Sequence, residues 1–274
     1  MVSAEFTLRD FPMPFVPKAS FAWRMYRRLV RTDVRFFAQP DAFPSADILK
    51  LCNLPAPFPG VENVCCPTVV VDLEQPEDVL WNGVEAKTRK VIRQAVRDGV
   101  EVERVQLSAE TWNSFHAAYE KLRNRKKNAD PLGIGQIGEL VEKGSFVMTA
   151  SRDANGNVLS WHSYVRCQGY VRLINTISDI DPSRDTQWNN LVGRAHRLHH
   201  WKDMLLFKEE GVKAYDLGGV YRGTEDEEQI NIARFKTSFG GAPAETYDAV
   251  LPLTVKGRLA LSLLAKVGAE ARSG

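Results

Sequence analysis

The apolar positions of this chain change period along its length, and each change marks an element. Pro67 to Leu73 is a continuous β-branched run of strand length, the pattern of a buried strand. Pro76, Glu77 and Asp78 supply helix-start chemistry, and one long helix is expected from there to about Asp98. Val84, Thr88, Val91, Ile92 and Ala95 would form its buried stripe and Gly99 its stop. Val100 to Val105 alternates, the period of a half-buried strand. A helix starting near Ser108 carries Trp112, Phe115, Ala118, Tyr119 and Leu122 on its apolar face. From Ser145 the period shortens to two. Phe146 to Ser151, Val158 to Val165 and Tyr170 to Ser178 read as an antiparallel meander, with Asn155-Gly156 as the first hairpin signal. A helix from about Trp188 to Glu209 buries Leu191, Ala195, Leu198, Trp201 and Leu205, and Gly211 ends it. The strand Val212 to Leu217, the pair Gly218-Gly219, an acidic loop and a helix closed by Gly240-Gly241 come next. A strand near Ala244 to Val250 and an amphipathic helix over 256–268 complete the chain.

The first 66 residues have a different texture, rich in proline and aromatics, and are expected to form an N-terminal extension packed on a main domain of residues 67–274. The basic run Trp23 to Arg31 in this extension reads either as the solvated face of an amphipathic helix or as a rim for a phosphate-bearing ligand, the first being preferred. The run Val34 to Phe37 that follows has strand character.

Composition adds bounds. With 44% hydrophobic and 26% charged residues the chain is an ordinary globular one, and its net charge of +2 is too small to announce a nucleic-acid binder. Its cations are local: Lys87, Arg89, Lys90, Arg93 and Arg97 on one helix, and Arg123 to Lys127 at the end of the next, where they complement the helix dipole. The four cysteines form neither zinc-type pairs nor a disulfide framework, which fits a reducing, cytoplasmic setting. No run approaches a membrane span and the first residues show no secretory signal pattern. A soluble, unprocessed protein without stable membrane insertion is therefore expected.

The segment Tyr215 to Gly241 organises the rest. A strand that stops at two glycines and leads into a helix lets a ligand approach the backbone closely. Taken together, the later elements read β-β-β-α-β-α-β, an order that resembles the GNAT acyltransferase fold. Two local signatures sharpen the resemblance. Arg89, Ile92, Arg93, Ala95, Gly99 and Val100 are similar to the R-x-x-I-R-x-A-x-x-x-G-V pattern of FemABX-like members. Tyr215-Asp216-Leu217-Gly218-Gly219 and Phe235-Lys236 through Phe239-Gly240-Gly241 resemble their Y-D-x-G-G and F-K-x-x-F-G-G ending. The fold class expected is thus α/β (α+β), one GNAT-like domain with a mixed sheet, a central antiparallel meander and flanking helices. The resemblance covers about residues 67 to 250.

What the resemblance implies is an N-acyltransferase. The donor would be acyl-CoA, its pyrophosphate held at a helix N-terminus by Asn190, Gly193, Arg194 and Ala195, where Asn190 replaces the usual Gln or Arg. The acceptor would be a small-molecule amine on a cell-envelope or polysaccharide precursor, such as a nucleotide-linked amino sugar. Some FemABX relatives take an aminoacyl group from tRNA, which is the second donor to consider, and a degenerate binding module is a third reading. The acyl carbonyl would be polarised by a backbone N–H around Leu173 to Asn175. Asp216 would handle the amine proton or cap the Gly-Gly turn, Tyr221 would serve as general acid, and His162 as a secondary base facing the acceptor. Arg89, Arg93, Gly218, Gly219 and Lys236 would contact substrate. His196 and His200 share a helix face at i and i+4, yet the sequence offers no third ligand beside them, so no metal is expected.

Overall fold

A computed structural model describes residues 4–8, 30–37, 43–125, 144–167 and 169–273. The basic run's residues 23–29 and Lys126-Lys127 lie outside the described residues. The chain divides into two compact units.

The first unit groups the described residues up to Cys66 with the C-terminal strand and helix from Glu245 onward. Strands β1 (Ala4–Leu8), β2 (Thr32–Phe36) and β3 (Ile48–Leu54) join there. β1 runs antiparallel to β2, and β2 runs parallel to β3. β3 went unread in the sequence because Lys50 and Asn53 interrupt its apolar run. It is almost wholly buried, and Leu49, Leu51 and Leu54 pack on Ala249 and Leu251.

The second unit, Pro67–Ala129 with Gly144–Ala244, carries most of the chemistry-bearing residues. After β4 (Asn63–Asp72) the single long helix of the sequence reading is two, α1 (Glu77–Gly83) and α2 (Ala86–Arg97). The break has a physical cause. Gly83 weakens the helix, Val84 turns extended, and the Arg89 guanidinium donates to the carbonyls of Trp81 (3.1 Å), Asn82 (2.9 Å) and Val84 (2.7 Å), which a continuous helix would have bonded itself. Then follow β5 (Glu101–Val105), α3 (Ala109–Arg125), β6 (Phe146–Arg152), β7 (Val158–Cys167) and β8 (Tyr170–Ser178). The long helix α4 (Thr186–Glu209), β9 (Ala214–Gly219) and α5 (Glu227–Thr237) complete this unit, before β10 (Ala242–Pro252) and α6 (Val255–Ser273).

In the second unit the strands lie in the order β4, β9, β8, β7, β6, β5, all antiparallel neighbours except the parallel pair β8 and β9. The core between this sheet and the helices includes Val69, Val71, Ile92, Val192, Ala195, Met204, Phe207, Leu217 and Phe239, with Trp81 against Trp201 at 4.8 Å between ring centres. At the α5 terminus Gly240 and Gly241 adopt positive φ. A Cβ on Gly240 would sit 3.0 Å from the Gly83 carbonyl oxygen and one on Gly241 2.8 Å from that of Val70, so the pair is set by close packing on the end of α1 and on β4.

Candidate active site

The pairing of β8 with β9 is short. Their register runs only from Tyr170 opposite Ala214 to Arg172 opposite Asp216. Beyond that point β8 continues beside β7 to Ser178, while β9 stays with β4 as far as Gly219 opposite Thr68. The two parallel strands therefore part, and the edge of β8 from Leu173 onward is released from β9. At the parting β8 carries a bulge: Leu173 pairs with Tyr164 and Asn175 with Ser163, leaving Ile174 as the extra residue, 46% exposed. A bulge takes its extra residue out of the ladder and re-aims the backbone. This is where the sequence reading placed a carbonyl-polarising N–H.

Charge gathers at the base of the parting. Asp216 is fully buried and its two oxygens accept from Thr68 Oγ1, from the Gly218 N–H (2.7 Å), from Tyr170 Oη (2.7 Å) and from the Arg172 guanidinium. The Gly218 bond is the Asx cap that the sequence allowed. With every direction of its carboxylate used, Asp216 is the anchor of the Gly-Gly turn and of Arg172, and has no face left for a substrate amine. Gly218 has φ +78, and a Cβ there would stand 3.0 Å from the Leu173 carbonyl and 3.5 Å from Lys236 Nζ. Its missing side chain makes room for β8 and for that ammonium.

Lys236 comes from the last turn of α5. Asp226 caps that helix by accepting from the Gln229 N–H, and Glu227 and Glu228 complement its first turn. The Lys236 ammonium donates to the Gly219 carbonyl at 2.6 Å. Burial, reinforced by the Arg172 charge and opposed by Asp216, pushes it down to about 8. The parting of β8 and β9 thus presents a half-buried ammonium beside an exposed bulge, a pairing suited to stabilising a developing oxyanion.

Between β6, β7 and α4 lies a second polar cluster. His199 is bonded at both ring nitrogens, Nε2 to Thr149 Oγ1 and Nδ1 to Ser160 Oγ, each 2.8 Å. His162 Nδ1 meets Asp203 Oδ2 at 2.8 Å, and Asp203 also accepts from Tyr164 Oη, which is 2.8 Å from Tyr215 Oη. His162 stacks on His199 with ring centres 3.7 Å apart. Burial pushes Asp203 up to about 8, against the hydrogen bonds from Tyr164 and Thr149, and pushes His162 down to about 3. His162 is fully buried, so it does not face an acceptor as expected. Sequence reasoning missed Asp203, Thr149 and Tyr164. The available signal was Asp203 on the buried stripe of α4, where an unpartnered carboxylate would be costly.

The remaining sequence candidates are dispersed. Asn190 to Ala195 lies inside α4, whose first residue is Thr186 and whose cap is Asp185, accepting from the Trp188 N–H at 2.6 Å. Its N–H groups belong to the helical ladder, so the expected phosphate cradle at a helix terminus is not formed there. Arg194 is paired with Asp98 (2.6 Å) and Ala195 is buried. Arg93 sits over the Trp81 ring at 5.2 Å, and Arg89 is committed to the end of α1. Asn175 Nδ2 donates to Ser163 Oγ at 3.0 Å, one residue from the bulge. Tyr221 is 37% exposed in the loop after β9. A cavity of about 250 Å³ opens under α3, lined by Lys121, Arg125, Trp161, Ile177 and Asp179 among others. Its cations are spent internally, Lys121 on Asp179 and Asp181 and Arg125 on the Ile180 carbonyl.

No family model matches this sequence, and no curated sequence matches it. The likeness lies in the fold. The crystal structure of FemX superposes with a TM-score of 0.56 at 14% identity, covering 71% of this chain and 64% of that one, so this chain spans just under two thirds of the FemX structure. The C-terminal domain (DUF2156) of a protein described as a lysylphosphatidylglycerol synthetase from Agrobacterium fabrum gives 0.55 at 14% identity, covering 86% and 82%. L-PGS from Bacillus licheniformis gives 0.52 at 14% identity, covering 87% and 85%. The chain has the GNAT fold. Its arrangement is the one found in FemX and in the lysylphosphatidylglycerol synthetase domain, as the two sequence signatures imply.

Proposed function

We propose that this protein is a transferase that moves an acyl or aminoacyl group from an activated donor to an amine, with the reaction centred where β8 and β9 part. The observation that carries the reading is Lys236, a half-buried ammonium held 2.6 Å from the Gly219 carbonyl beside the exposed Ile174 bulge. In the proposed reaction the donor carbonyl lies against the released edge of β8. The neutral acceptor amine attacks, the C–N bond forms, and the oxyanion is held by the Ile174 N–H and the Lys236 ammonium. As the intermediate collapses, the C–O or C–S bond to the leaving group breaks. The amine proton passes to that leaving group, and no covalent enzyme intermediate is needed.

Two donors suit this reaction. An aminoacyl ester of tRNA is favoured, because the segment expected to cradle the CoA pyrophosphate lies inside the helical ladder. The likeness to a domain of a lysylphosphatidylglycerol synthetase, whose name specifies an aminoacyl product, supports an aminoacyl group as the one transferred. An acyl-CoA is the second reading. It is supported by Arg184, which stacks 3.5 Å over Trp188 in the first turn of α4; its guanidinium pairs with Asp179 at 3.2 Å and is still 46% exposed. The acceptor class we assign is an amine on a cell-envelope or polysaccharide precursor.

The test is a mass-spectrometric screen of the purified chain. Aminoacyl-tRNA and acyl-CoA serve as donors, against amino-sugar nucleotides, peptidoglycan precursors and phosphatidylglycerol vesicles. A product carrying the transferred group on nitrogen is the expected result. Lipid esters alone would correct the acceptor, and transfer from no donor to any acceptor would overturn the reading.

A further inference from the structure

We infer that His162, His196 and His200 form a binding site for a first-row transition-metal ion of the Zn²⁺ type, set into the second unit between β7 and α4. The sequence supplied two of these imidazoles one turn apart on α4; the fold supplies the third from β7. Each of the three offers a ring nitrogen within 4.8 Å of the others. Tetrahedral zinc binds imidazole at roughly 2.0–2.1 Å, which places the nitrogens about 3.4 Å apart, so small side-chain rotations would close the set on an ion.

Three observations point to a ligand. First, each ring has one nitrogen engaged by an oxygen from a different element. His162 Nδ1 meets Asp203 at 2.8 Å, His196 Nε2 meets Thr176 Oγ1 at 2.6 Å, and His200 Nδ1 meets Tyr215 Oη at 3.1 Å. Outer partners of this kind fix ring orientation and tautomer in metal-ligating histidines. Second, His162 Nε2 is fully buried and has no hydrogen-bond partner. Buried polar atoms without partners are rare and call for an explanation, and a metal ion supplies one. Third, the three rings converge on one point, with ring centres 5.2 Å apart for His162 and His196, 4.4 Å for His162 and His200, and 5.0 Å for His196 and His200. A neighbouring grouping, His162 with His199 and Asp203, also brings three groups together. It is the weaker site, because both nitrogens of His199 are already bonded to Thr149 and Ser160.

Phe235 stacks on His196 at 4.9 Å and packs edge-on against His200, closing the site with an apolar wall. Three protein ligands leave a fourth position for water or another ligand. The inference stands on the imidazoles alone and does not depend on the transfer reaction.

The experiment uses tag-free full-length protein stripped with chelator and titrated with Co²⁺ and Zn²⁺, followed by calorimetry and the visible absorption of bound Co²⁺. One ion per chain is expected, with the absorption of a low-coordinate, nitrogen-ligated cobalt. His196→Ala removes a half-buried ligand and should weaken binding by roughly 100-fold or more, while Thr176→Val, which removes only an outer partner, should cost on the order of tenfold. His199→Asn should bind as the parent does. Absence of binding, or equal uptake by the parent and His196→Ala, overturns the site. Loss in His199→Asn with retention in His196→Ala overturns it in favour of the neighbouring grouping.

Discussion

Lys236→Met should lower kcat/KM for group transfer by about 10²–10³-fold, with the fold intact, because it removes a preorganised charge aimed at the transition state. The substitution keeps an unbranched apolar stem in the last turn of α5 and gives up one hydrogen bond to the Gly219 carbonyl. The pH profile separates this role from a packing role. Only the ammonium supplies the charge, and burial places its titration at about 8, so kcat/KM should fall as pH rises through that value. Lys236→Arg, which stays charged, should move that descending limb to higher pH. The sign for stability is the reverse. The folded value lies below the ordinary 10.5, so between about 8 and 10.5 the unfolded chain binds more protons and the fold gains stability as pH rises. A parent enzyme whose activity does not fall above pH 8 would remove Lys236 from the transition state.

Asp216→Ala should be the most damaging substitution for stability in the second unit, at about 3–5 kcal/mol, measured by urea unfolding. The carboxylate is fully buried and joins four donors from two strands and a turn: Thr68 of β4, Tyr170 and Arg172 of β8, and the Gly218 N–H. Deleting it leaves the Arg172 guanidinium in a largely buried position, with its side chain only 13% exposed, and unties the turn that positions Gly218 against Leu173. Asp216→Asn retains the shape and can still accept from the Gly218 N–H, so its loss should be smaller. A stability change under about 1 kcal/mol in Asp216→Ala would show that the network is not a structural anchor.

The elements of the second unit were readable because its periods are clear: the meander, the stripe of α4, and the strand–Gly-Gly–helix sequence from Tyr215 to Gly241 fall where the apolar pattern put them. The break between α1 and α2 was hidden because its cause is a side chain, Arg89, reaching back to carbonyls that the periodic stripe ignores. The grouping of the C-terminal strand with β3 was hidden for another reason: strand pairing between distant segments leaves no mark on local periodicity. Candidate residues fared according to what fixes them. Gly218 and Lys236 meet at one point because the turn and the end of α5 dictate it. Asn190 to Ala195 was placed at a helix terminus by spacing from the meander, while Asp185 caps α4 earlier. Arg172 and Tyr170, the partners of Asp216, announce nothing in sequence; only the parallel register of β8 with β9 brings them to it.

The measurement that bears most directly on the transfer site is a crystal structure of the protein with a non-hydrolysable analogue of its donor, an aminoacyl-adenosine amide and an acyl-CoA thioether in separate crystals. The account predicts that one of them places its acyl group in the parting of β8 and β9, with the group at the carbonyl position within hydrogen-bond distance of the Ile174 N–H and of Lys236 Nζ. Density for the acyl group anywhere else, such as the cavity beneath α3, with the parting of β8 and β9 left open to solvent, would contradict it.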